Sequence, residues 1–472
     1  MDAIDLERPL RKPDVYSEPL MRKRALWLVV IGFLLPGSAQ VLAGNRKLGR
    51  VGLVATAVFI VVGLISVLSL LVARVAAFTF FTNGFVLLCV QLLLFAYAVL
   101  WLVLGFDTLR LTRLVSITPK WRAAVAIISI LLTLLPSAGA AWAATAVGAG
   151  RNLLGSLFQG TAAVEPVDGR YNILLLGTDA GADREGLRPD SISLVSVDAE
   201  TGQSVIIGLP RELADVPFSE DSPMHEMHPN GFGVGPNVFG DEGGCEVGRC
   251  ILNGIYAEAE LFHPELYPDA VSRGSSPGIE ATKDAVTGAT GLEVQFYVMV
   301  NMDAFSGLID ALGGVTIDVK ERLPIGGQLD EYTGELVGVE GWIEPGKQKL
   351  NGFNAQWYAR SRYGSAAGDY ARMERQRELQ AAILAQMDPA NVLLRFQEVA
   401  EAGTDLVQTD IPASMLGHFV DLASKAREFT PVTLNLTPPE VDPEYPDYGR
   451  IHQLVAETIA AASPVPEEEA AE

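Results

Sequence analysis

The chain has 472 residues, 49% of them hydrophobic, and a formal net charge of −22. The charge is unevenly divided: residues 1–150 carry 14 Lys and Arg against 6 Asp and Glu, a net of +8, and the remainder carries 21 against 51, a net of −30. The acidic part is excluded as a general nucleic-acid binder, because such binding requires positive charge facing the phosphates.

Three apolar stretches in the first third of the chain predict membrane spans, at about 51–72, 85–105 and 123–142. Each holds about 20 residues with almost no charge, the length that crosses a bilayer core. Three spans in series exclude a cleavable signal peptide as a full explanation. Residues 25–44 are ambiguous, because their apolar run ends at Pro36 after about eleven residues. They fit either a first span or a re-entrant segment.

Lys and Arg residues indicate the topology. They stand in three clusters, before residues 25–44, after them and between the last two spans: Arg22, Lys23, Arg24; Arg46, Lys47, Arg50; Arg110, Arg113, Lys120, Arg122. If residues 25–44 are re-entrant, all three clusters face the cytoplasm, as the positive-inside rule favours, and the chain after Trp142 emerges outside. We therefore favour the re-entrant alternative.

We expect a multi-pass protein of the cell membrane with its larger domain on the extracellular face. Its regions are a cytoplasmic N-terminus (1–24), a membrane region (25–144), a Gly/Ala-rich linker (145–168), an extracellular domain (169–460) and a disordered acidic tail (461–472). Cys245 and Cys250, in "GCEVGRC", suit this location, because exported cysteines this close can form a disulfide. A metal site would need further ligands nearby.

The extracellular domain begins with a buried strand, because "NILLL" at 172–176 is a continuous apolar run. The same patterns predict strands at 191–198, 204–210, 296–300 and 314–319, and helices at 302–312, 352–358 and 369–387. Strands interleaved with helices indicate an α/β or α+β domain. Residues 217–248 are predicted to form an irregular insertion rich in Gly and Pro.

The insertion contains "MHEMH" (224–228), which raises the question of a zinc site. The two histidines are three residues apart in a segment predicted to be a loop, so the motif is not HExxH, whose histidines share a helix face. A surface loop is favoured over a metal site.

Two carboxylates stand at strand ends. Asp179 ends the first strand and Asp190 opens the second. A hairpin-like return would bring both to one end of the sheet, where a divalent cation would offset their repulsion and anchor a phosphate. The alternative is turn and cap chemistry for both. Arg188 lies beside Asp190, and Arg211 follows the third strand.

Five arginines and no lysine occupy residues 358–380, "YARSRYGSAAGDYARMERQRELQ". Arg360 and Arg362 are predicted to close one helix, and Arg372 and Gln376 to share a face of the next. Converging guanidinium groups beside a carboxylate pair suit a pyrophosphate. Arg377 is expected to point elsewhere and to tolerate Ala. The alternative is an exposed helix with ion pairs to the glutamates that interrupt the run.

Together these motifs resemble the LytR-CpsA-Psr family. The resemblance covers roughly residues 170–400, through "NILLLGTDAG", "RPDSISLVSVD", "GLPRE", "LNGIYAEAE", "YVMVNMDAFSGLIDALGGVTIDV", "PGKQKLNGFNAQWYARSR" and "DYARMERQRE". The Cys245–Cys250 loop resembles the actinobacterial branch. The resemblance implies an α/β/α core on a mixed sheet, with an apolar tunnel for a lipid tail. It also implies a phosphotransferase that uses Mg²⁺, with Mn²⁺ as an alternative, and moves glycopolymers from a polyprenyl-pyrophosphate carrier to peptidoglycan.

The resemblance also assigns roles to residues. Asp179 and Asp190 match the metal-binding carboxylates, and with Arg188 and Arg211 they form the expected catalytic group. The expected pyrophosphate contacts are Arg188, Arg211, Arg360, Arg362, Arg372 and Gln376. Departures from the family pattern are mild: Pro189 replaces a small polar residue, Glu212 an Asp or similar polar residue, and Ser191 a Thr.

We therefore expect a membrane-anchored glycopolymer phosphotransferase whose partners are the lipid-linked polymer, peptidoglycan and the membrane, without nucleic acid. Two alternatives stay open at this point. One is a non-catalytic regulator that binds the polyprenyl lipid, and the other is a lipid pyrophosphatase.

Overall fold

The computed structural model describes residues 10–11, 13–160, 164–178, 188–234, 244–330, 332–333, 335–362, 368–386 and 407–462. The chain divides into two compact units, Met1–Asn152 and Leu153–Glu472.

The first unit is helical. Its helices are α1 (Glu18–Leu34), α2 (Ser38–Ala43), α3 (Arg46–Val72), α4 (Arg74–Thr82), α5 (Gly84–Leu111) and α6 (Pro119–Leu157). Three helical segments of the described chain are long and apolar enough to cross a membrane, Arg46–Val72, Gly84–Ser116 and Pro119–Asn152, in agreement with the three predicted spans. α6 continues to Leu157, into the segment predicted to be a linker.

The ambiguous segment 25–44 folds back on itself. Gly37, at φ +97°, makes the turn between α1 and α2 in a conformation that favours glycine. Where the segment begins, the Arg24 guanidinium donates to the Leu111 carbonyl at 2.8 Å. Where it ends, Gly44 lies so close to the Leu111 side chain that a Cβ would be 2.7 Å from Cδ1. Both ends therefore lie at the C-terminal end of α5.

A buried glutamine holds the middle of this segment. The Gln40 amide donates to the Leu104 carbonyl at 2.8 Å and to the Thr108 hydroxyl at 2.9 Å, both on α5. The segment has the hairpin geometry of the re-entrant alternative. Its position in a membrane stays a prediction.

The second unit is built on a seven-stranded mixed sheet in the order β1-β10-β5-β2-β3-β4-β11. These strands are β1 (Phe158–Gly160), β2 (Arg170–Thr178), β3 (Pro189–Asp198), β4 (Ser204–Leu209), β5 (Phe296–Asn301), β10 (Val407–Pro412) and β11 (Val432–Asn435). β3 runs antiparallel to both β2 and β4, and β5 runs parallel to β2. Two separate pairs are β6 (Val315–Val319) with β9 (Gly346–Leu350), and β7 (Leu323–Leu329) with β8 (Leu336–Ile343).

Helices cover both faces of this mixed sheet, so the unit has three layers in the order helix, sheet, helix. The expected α/β fold on a mixed sheet is confirmed. The helices are α7 (Pro223–Met227), α8 (Ile255–Ala257), α9 (Pro277–Thr290), α10 (Met302–Ala311), α11 (Gly352–Arg360), α12 (Gly368–Gln386), α13 (Leu416–Ala426) and α14 (Tyr448–Ala462). Leu174 and Leu176 pack into the main core with α9 and α14. Leu175 and Gly177 alternate to the opposite face, towards α12.

The "MHEMH" segment differs from its prediction as a surface loop. It forms α7, and His228 is 3% exposed. The His228 ring lies 6.1 Å from Phe218 and 5.3 Å from Phe232, measured between ring centroids. Across the described residues, no group of three or more His, Cys, Asp or Glu side chains is placed to hold a metal.

Candidate functional site

One edge of the main sheet collects the predicted acidic and basic residues. Thr178 at the end of β2 pairs with Pro189 at the start of β3 and with Asn301 at the end of β5. Leu209, at the end of β4, pairs with Ile192 near the start of β3. The hairpin return predicted between the first two strands is present. The residues that open β3 and those that follow β4 therefore meet at the edge where β2 ends.

Asp190 and Arg211 are in direct contact there. Arg211 Nη1 donates to Asp190 Oδ1, and the Arg211 and Asp190 side chains are 20% and 14% exposed. Within the described residues the buried Arg211 Nε has no acceptor. Asp179 lies outside the described residues.

Arg188 lies at the same edge, next to Pro189 in the chain, but its described contact points to a different element. Its Nη2 donates to the Val247 carbonyl at 3.1 Å. Val247 belongs to the loop closed by the predicted disulfide, which the structure contains, with the Cα atoms of Cys245 and Cys250 5.8 Å apart.

The helix α12 carries Arg372 and Gln376 to the buried side of the site, where they are 3% and 6% exposed. The Gln376 amide donates to the Ala359 carbonyl at 3.1 Å. Arg360 ends α11 one residue later, and Arg362 lies just beyond; both side chains are exposed. The two predicted pairs thus differ in burial: Arg372 and Gln376 are buried on α12, and Arg360 and Arg362 are exposed at the end of α11 and just beyond it.

Arg375, which was not predicted as a site residue, joins the two helices. Its Nε donates to the Tyr358 carbonyl at 3.1 Å and its Nη2 to the Ser361 carbonyl, and Nη1 pairs with Glu321 at 3.2 Å. Satisfying the last carbonyls of α11 in this way fixes where that helix ends. Arg375 therefore places the segment that carries Arg360.

Arg377 contacts a different element from Gln376, as expected, but it is buried; its tolerance of Ala stays a prediction. Its side chain is 1% exposed, and Nη1 donates to the Ser193 hydroxyl on β3 at 2.8 Å. The guanidinium lies over Gly208 on β4, where a Cβ would be only 2.2 Å from Nε. The sheet covers α12 on this side. Arg377 is therefore buried, although the helical period turns it away from Gln376. Burial, and secondarily Arg372, lower the pKa of Arg377 to about 10.

An apolar cavity of about 200 Å³ lies between the sheet and helices α10 and α12. A second cavity of about 180 Å³ continues along the same sheet face. Leu175, Val298 and Leu384 line both, so the two form one apolar strip. This arrangement agrees with the apolar tunnel that the resemblance implies.

The polar lining of the first cavity lies at the sheet edge and includes Ser191, Asn301, Gln376 and Gln380. Asn301 and Gln380 were not predicted as site residues. A signal for this face exists in β3, where Ser191 and Ser193 alternate with Ile192 and Leu194 in a buried strand. Polar side chains at every second position mark the sheet face that borders the cavity.

Asp190 is the described member of the predicted metal-binding pair. Mg²⁺ is commonly held by one or two carboxylates, with waters and substrate phosphate oxygens completing its shell. A partly buried carboxylate beside arginines that suit phosphate fits such an ion. The metal itself stays a prediction.

A cationic edge thus borders an apolar strip. The LytR_cpsA_psr family model matches residues 156–445, and the chain belongs to this family.

Two curated proteins are similar to this chain over more than half of its length. The cell wall biosynthesis protein LcpA of Corynebacterium glutamicum is 26% identical over 383 residues, 74% of this chain and 67% of the relative. Biofilm regulatory protein A of Streptococcus mutans is 25% identical over 248 residues, 52% of this chain and half of that protein's length.

A third relative has a known structure. The polyisoprenyl-teichoic acid–peptidoglycan teichoic acid transferase TagV of Bacillus subtilis is 28% identical over 137 residues, 29% of this chain and 34% of the relative. Its crystal structure superposes with a TM-score of 0.41 and 19% identity, over 64% of this chain and all of that one.

Proposed function

We propose that this protein is a membrane-anchored phosphotransferase that moves a glycopolymer from a polyprenyl-pyrophosphate carrier to peptidoglycan. The relatives' names support the reaction class: TagV is named a transferase from a polyisoprenyl-linked polymer to peptidoglycan, and LcpA a cell wall biosynthesis protein.

The observation that carries the proposal is the adjacency of the apolar strip and the cationic edge. Gln376 lines the strip and lies one helical turn after Arg372. Ala359 also lines the strip, and Arg360 follows it directly. A polyprenyl chain in the strip would therefore present its pyrophosphate to arginines of both helices. Guanidinium groups suit this ligand because they bind phosphate oxygens in pairs.

The proposed reaction is a displacement at the phosphorus that carries the sugar. A hydroxyl of the peptidoglycan acceptor, by family resemblance the C6 hydroxyl of muramic acid, forms the new bond to that phosphorus. The bond to the bridging oxygen breaks, and polyprenyl phosphate leaves with the bond's electron pair. Arg211 and Arg188 would stabilise charge on the phosphoryl oxygens. Asp179 or Asp190 would accept the hydroxyl proton.

A bound Mg²⁺, held by Asp190 with Asp179, would supply further charge stabilisation to the phosphates. The contact between Arg211 and Asp190 is compatible with this role, because the guanidinium holds the carboxylate at the edge where a phosphate would lie.

The proposed topology places the catalytic unit outside the cell. All three basic clusters flank the α1–α2 hairpin or the α5–α6 connection, and both ends of that hairpin meet Leu111. A common cytoplasmic end follows from the positive-inside rule. Labelling of a cysteine at position 47 from outside intact cells would contradict this topology.

The deciding experiment supplies the full-length protein in lipid nanodiscs with a lipid-linked glycopolymer and a peptidoglycan acceptor. Polymer bound covalently to the acceptor, with release of polyprenyl phosphate, supports transfer. Release of polymer phosphate into water identifies a pyrophosphatase instead. Saturable lipid binding without any product identifies a binding protein and refutes the proposal.

A further inference from the structure

The disulfide loop touches the proposed active site through its backbone. Arg188 Nη2 donates to the carbonyl of Val247, which lies between Cys245 and Cys250. The Arg188 side chain is exposed. An exposed arginine has many accessible rotamers, so the orientation of Arg188 depends on how firmly this carbonyl is held.

A buried carboxylate holds the loop from the side opposite Arg188. The Glu258 side chain is 1% exposed and accepts the backbone N–H of Glu246 at 3.0 and 2.9 Å and that of Val247 at 3.1 Å. Charged acceptors make stronger hydrogen bonds than neutral ones. Val247 is therefore bound through its N–H to Glu258, and its carbonyl accepts from Arg188 and from the Arg249 N–H at 2.9 Å.

The same stretch of chain also reaches the second arginine of the edge. Asn253 N–H donates to the Arg211 carbonyl at 3.1 Å, and Leu252 N–H donates to the Leu213 carbonyl at 2.9 Å. A single segment, 245–253, thus contacts both arginines that flank Asp190, and Glu258 follows it within a helical stretch packed into the core.

We propose that Glu258 is a positioning residue: through the disulfide-closed loop it fixes the Val247 carbonyl and thereby aims Arg188 at the phosphate of the substrate. This inference rests on the proposed function for the role of Arg188. A purely structural Glu258 would satisfy the same N–H groups, so the test must show that its effect passes through Arg188.

A double-mutant cycle provides that test, with Mg²⁺–pyrophosphate binding to the full-length protein as the readout. Glu258→Met keeps the side-chain length and removes both acceptors. We expect it to weaken binding about tenfold in the wild-type background, the worth of one charge-assisted hydrogen bond, and less than twofold beside Arg188→Ala. Glu258→Gln retains one oxygen, which can accept both N–H groups, and should restore most of the affinity.

Two further variants guard the interpretation. Cys245→Ser with Cys250→Ser opens the loop without touching Glu258 and should reproduce the dependence on Arg188, even if Glu258→Met does not fold. Glu260→Gln is the matched control: Glu260 also accepts a backbone N–H, that of Gly278 at 2.8 Å, but holds a different segment. It should bind pyrophosphate as the wild type does.

Three results would overturn the inference: equal losses in both Arg188 backgrounds, no loss in either, or an Arg188→Ala variant that binds pyrophosphate normally. The outcome is independent of the proposed reaction, because pyrophosphate binding requires no transfer. The protein could transfer no polymer and still lose pyrophosphate affinity on Glu258→Met only when Arg188 is present. That result would refute the proposed function and support the positioning role.

Discussion

Replacing Arg377 by Met removes a buried charge while keeping a long side chain. The variant therefore tests separately what the charge costs in stability and what it contributes to the proposed reaction. The pKa of Arg377 falls from 12.5 to about 10, mainly through burial. At pH 7 the guanidinium is charged in both the folded and the unfolded protein, so this lowering means that folding the charged form costs about 3 kcal/mol, at ~1.36 kcal/mol per pKa unit. Loss of the Ser193 hydrogen bond offsets about 1 kcal/mol. Arg377→Met should therefore raise the free energy of unfolding by about 2 kcal/mol.

The same variant should impair the proposed reaction. Among the described residues Arg377 Nε and Nη2 have no acceptor. Ser193, which Arg377 contacts, lies two residues along β3 from Ser191 on the cavity lining, a separation of about 7 Å. If a phosphate lies as far from the Arg377 guanidinium as Ser191 does from Ser193, the two charges interact by about 2 kcal/mol at an effective dielectric constant of ~20. We expect a loss of transfer of roughly ten- to fifty-fold.

Gly208 offers an independent test of where this side chain lies. Because a Cβ on Gly208 would approach Arg377 Nε to 2.2 Å, Gly208→Ala should destabilise the wild type by about 1–3 kcal/mol, the usual range for overpacking. In an Arg377→Ala background the clash is absent and the cost should largely disappear.

Denaturant unfolding of the full-length variants, followed by tryptophan fluorescence, measures these free energies, and the transfer assay measures the loss of function. The reasoning fails if Arg377→Met destabilises the protein as much as Arg377→Ala does. It also fails if Gly208→Ala costs the same with and without Arg377.

Three other expectations concern single groups. Arg362→Ala and Arg362→Lys should both cut transfer by roughly ten- to a hundred-fold, since an ammonium cannot replace the paired donors of a guanidinium; Arg450→Ala, on the exposed side of α14, is the control, and an active lysine variant would indicate a diffuse basic surface. The Cys245–Cys250 bridge should contribute about 2 kcal/mol of stability for so short a loop; mass spectrometry that found both thiols free in protein isolated under oxidising conditions would contradict it. Burial lowers the pKa of His228 to about 4 from 6.5. Between pH 6.5 and pH 4, His228 is therefore protonated in the unfolded chain but neutral in the folded protein. The free energy of unfolding should fall by about 3 kcal/mol over this range. His228→Phe should flatten this part of the pH profile, and an unchanged slope would refute the assignment.

The parts of the fold that follow local patterns were predictable. β2, β3 and β4 lie within two or three residues of their predicted bounds, because each is a short apolar run between turn residues. Their antiparallel connection was enough to bring Asp190 and Arg211 to one edge. β10 and β11 were not predicted, since they add to the sheet only through pairing with strands far away in the chain.

Because charged side chains of α12 are buried, the helical period did not predict which of its residues face solvent. A segment as rich in charge as 369–378 normally faces water, and the period then separates a functional face from a solvated one. Here the sheet covers one side and α11 another, so Arg372, Arg375 and Arg377 are all buried. No pattern within α12 distinguishes such a helix from an exposed one, because the difference lies in what packs against it.

The charge distribution and the apolar strip together indicate how this site would select its substrate. The outer part of the chain carries a net charge of −30, and a surface of that sign repels small anions from solution. Arg372 and Arg377 are buried within this acidic domain, whereas Arg188, Arg360 and Arg362 are exposed. On the proposed function, a lipid-linked pyrophosphate gains, beyond its contacts with the arginines, about 0.8 kcal/mol for each CH₂ group buried in the strip. The chain in the strip would supply the affinity, and the arginines would supply the chemistry.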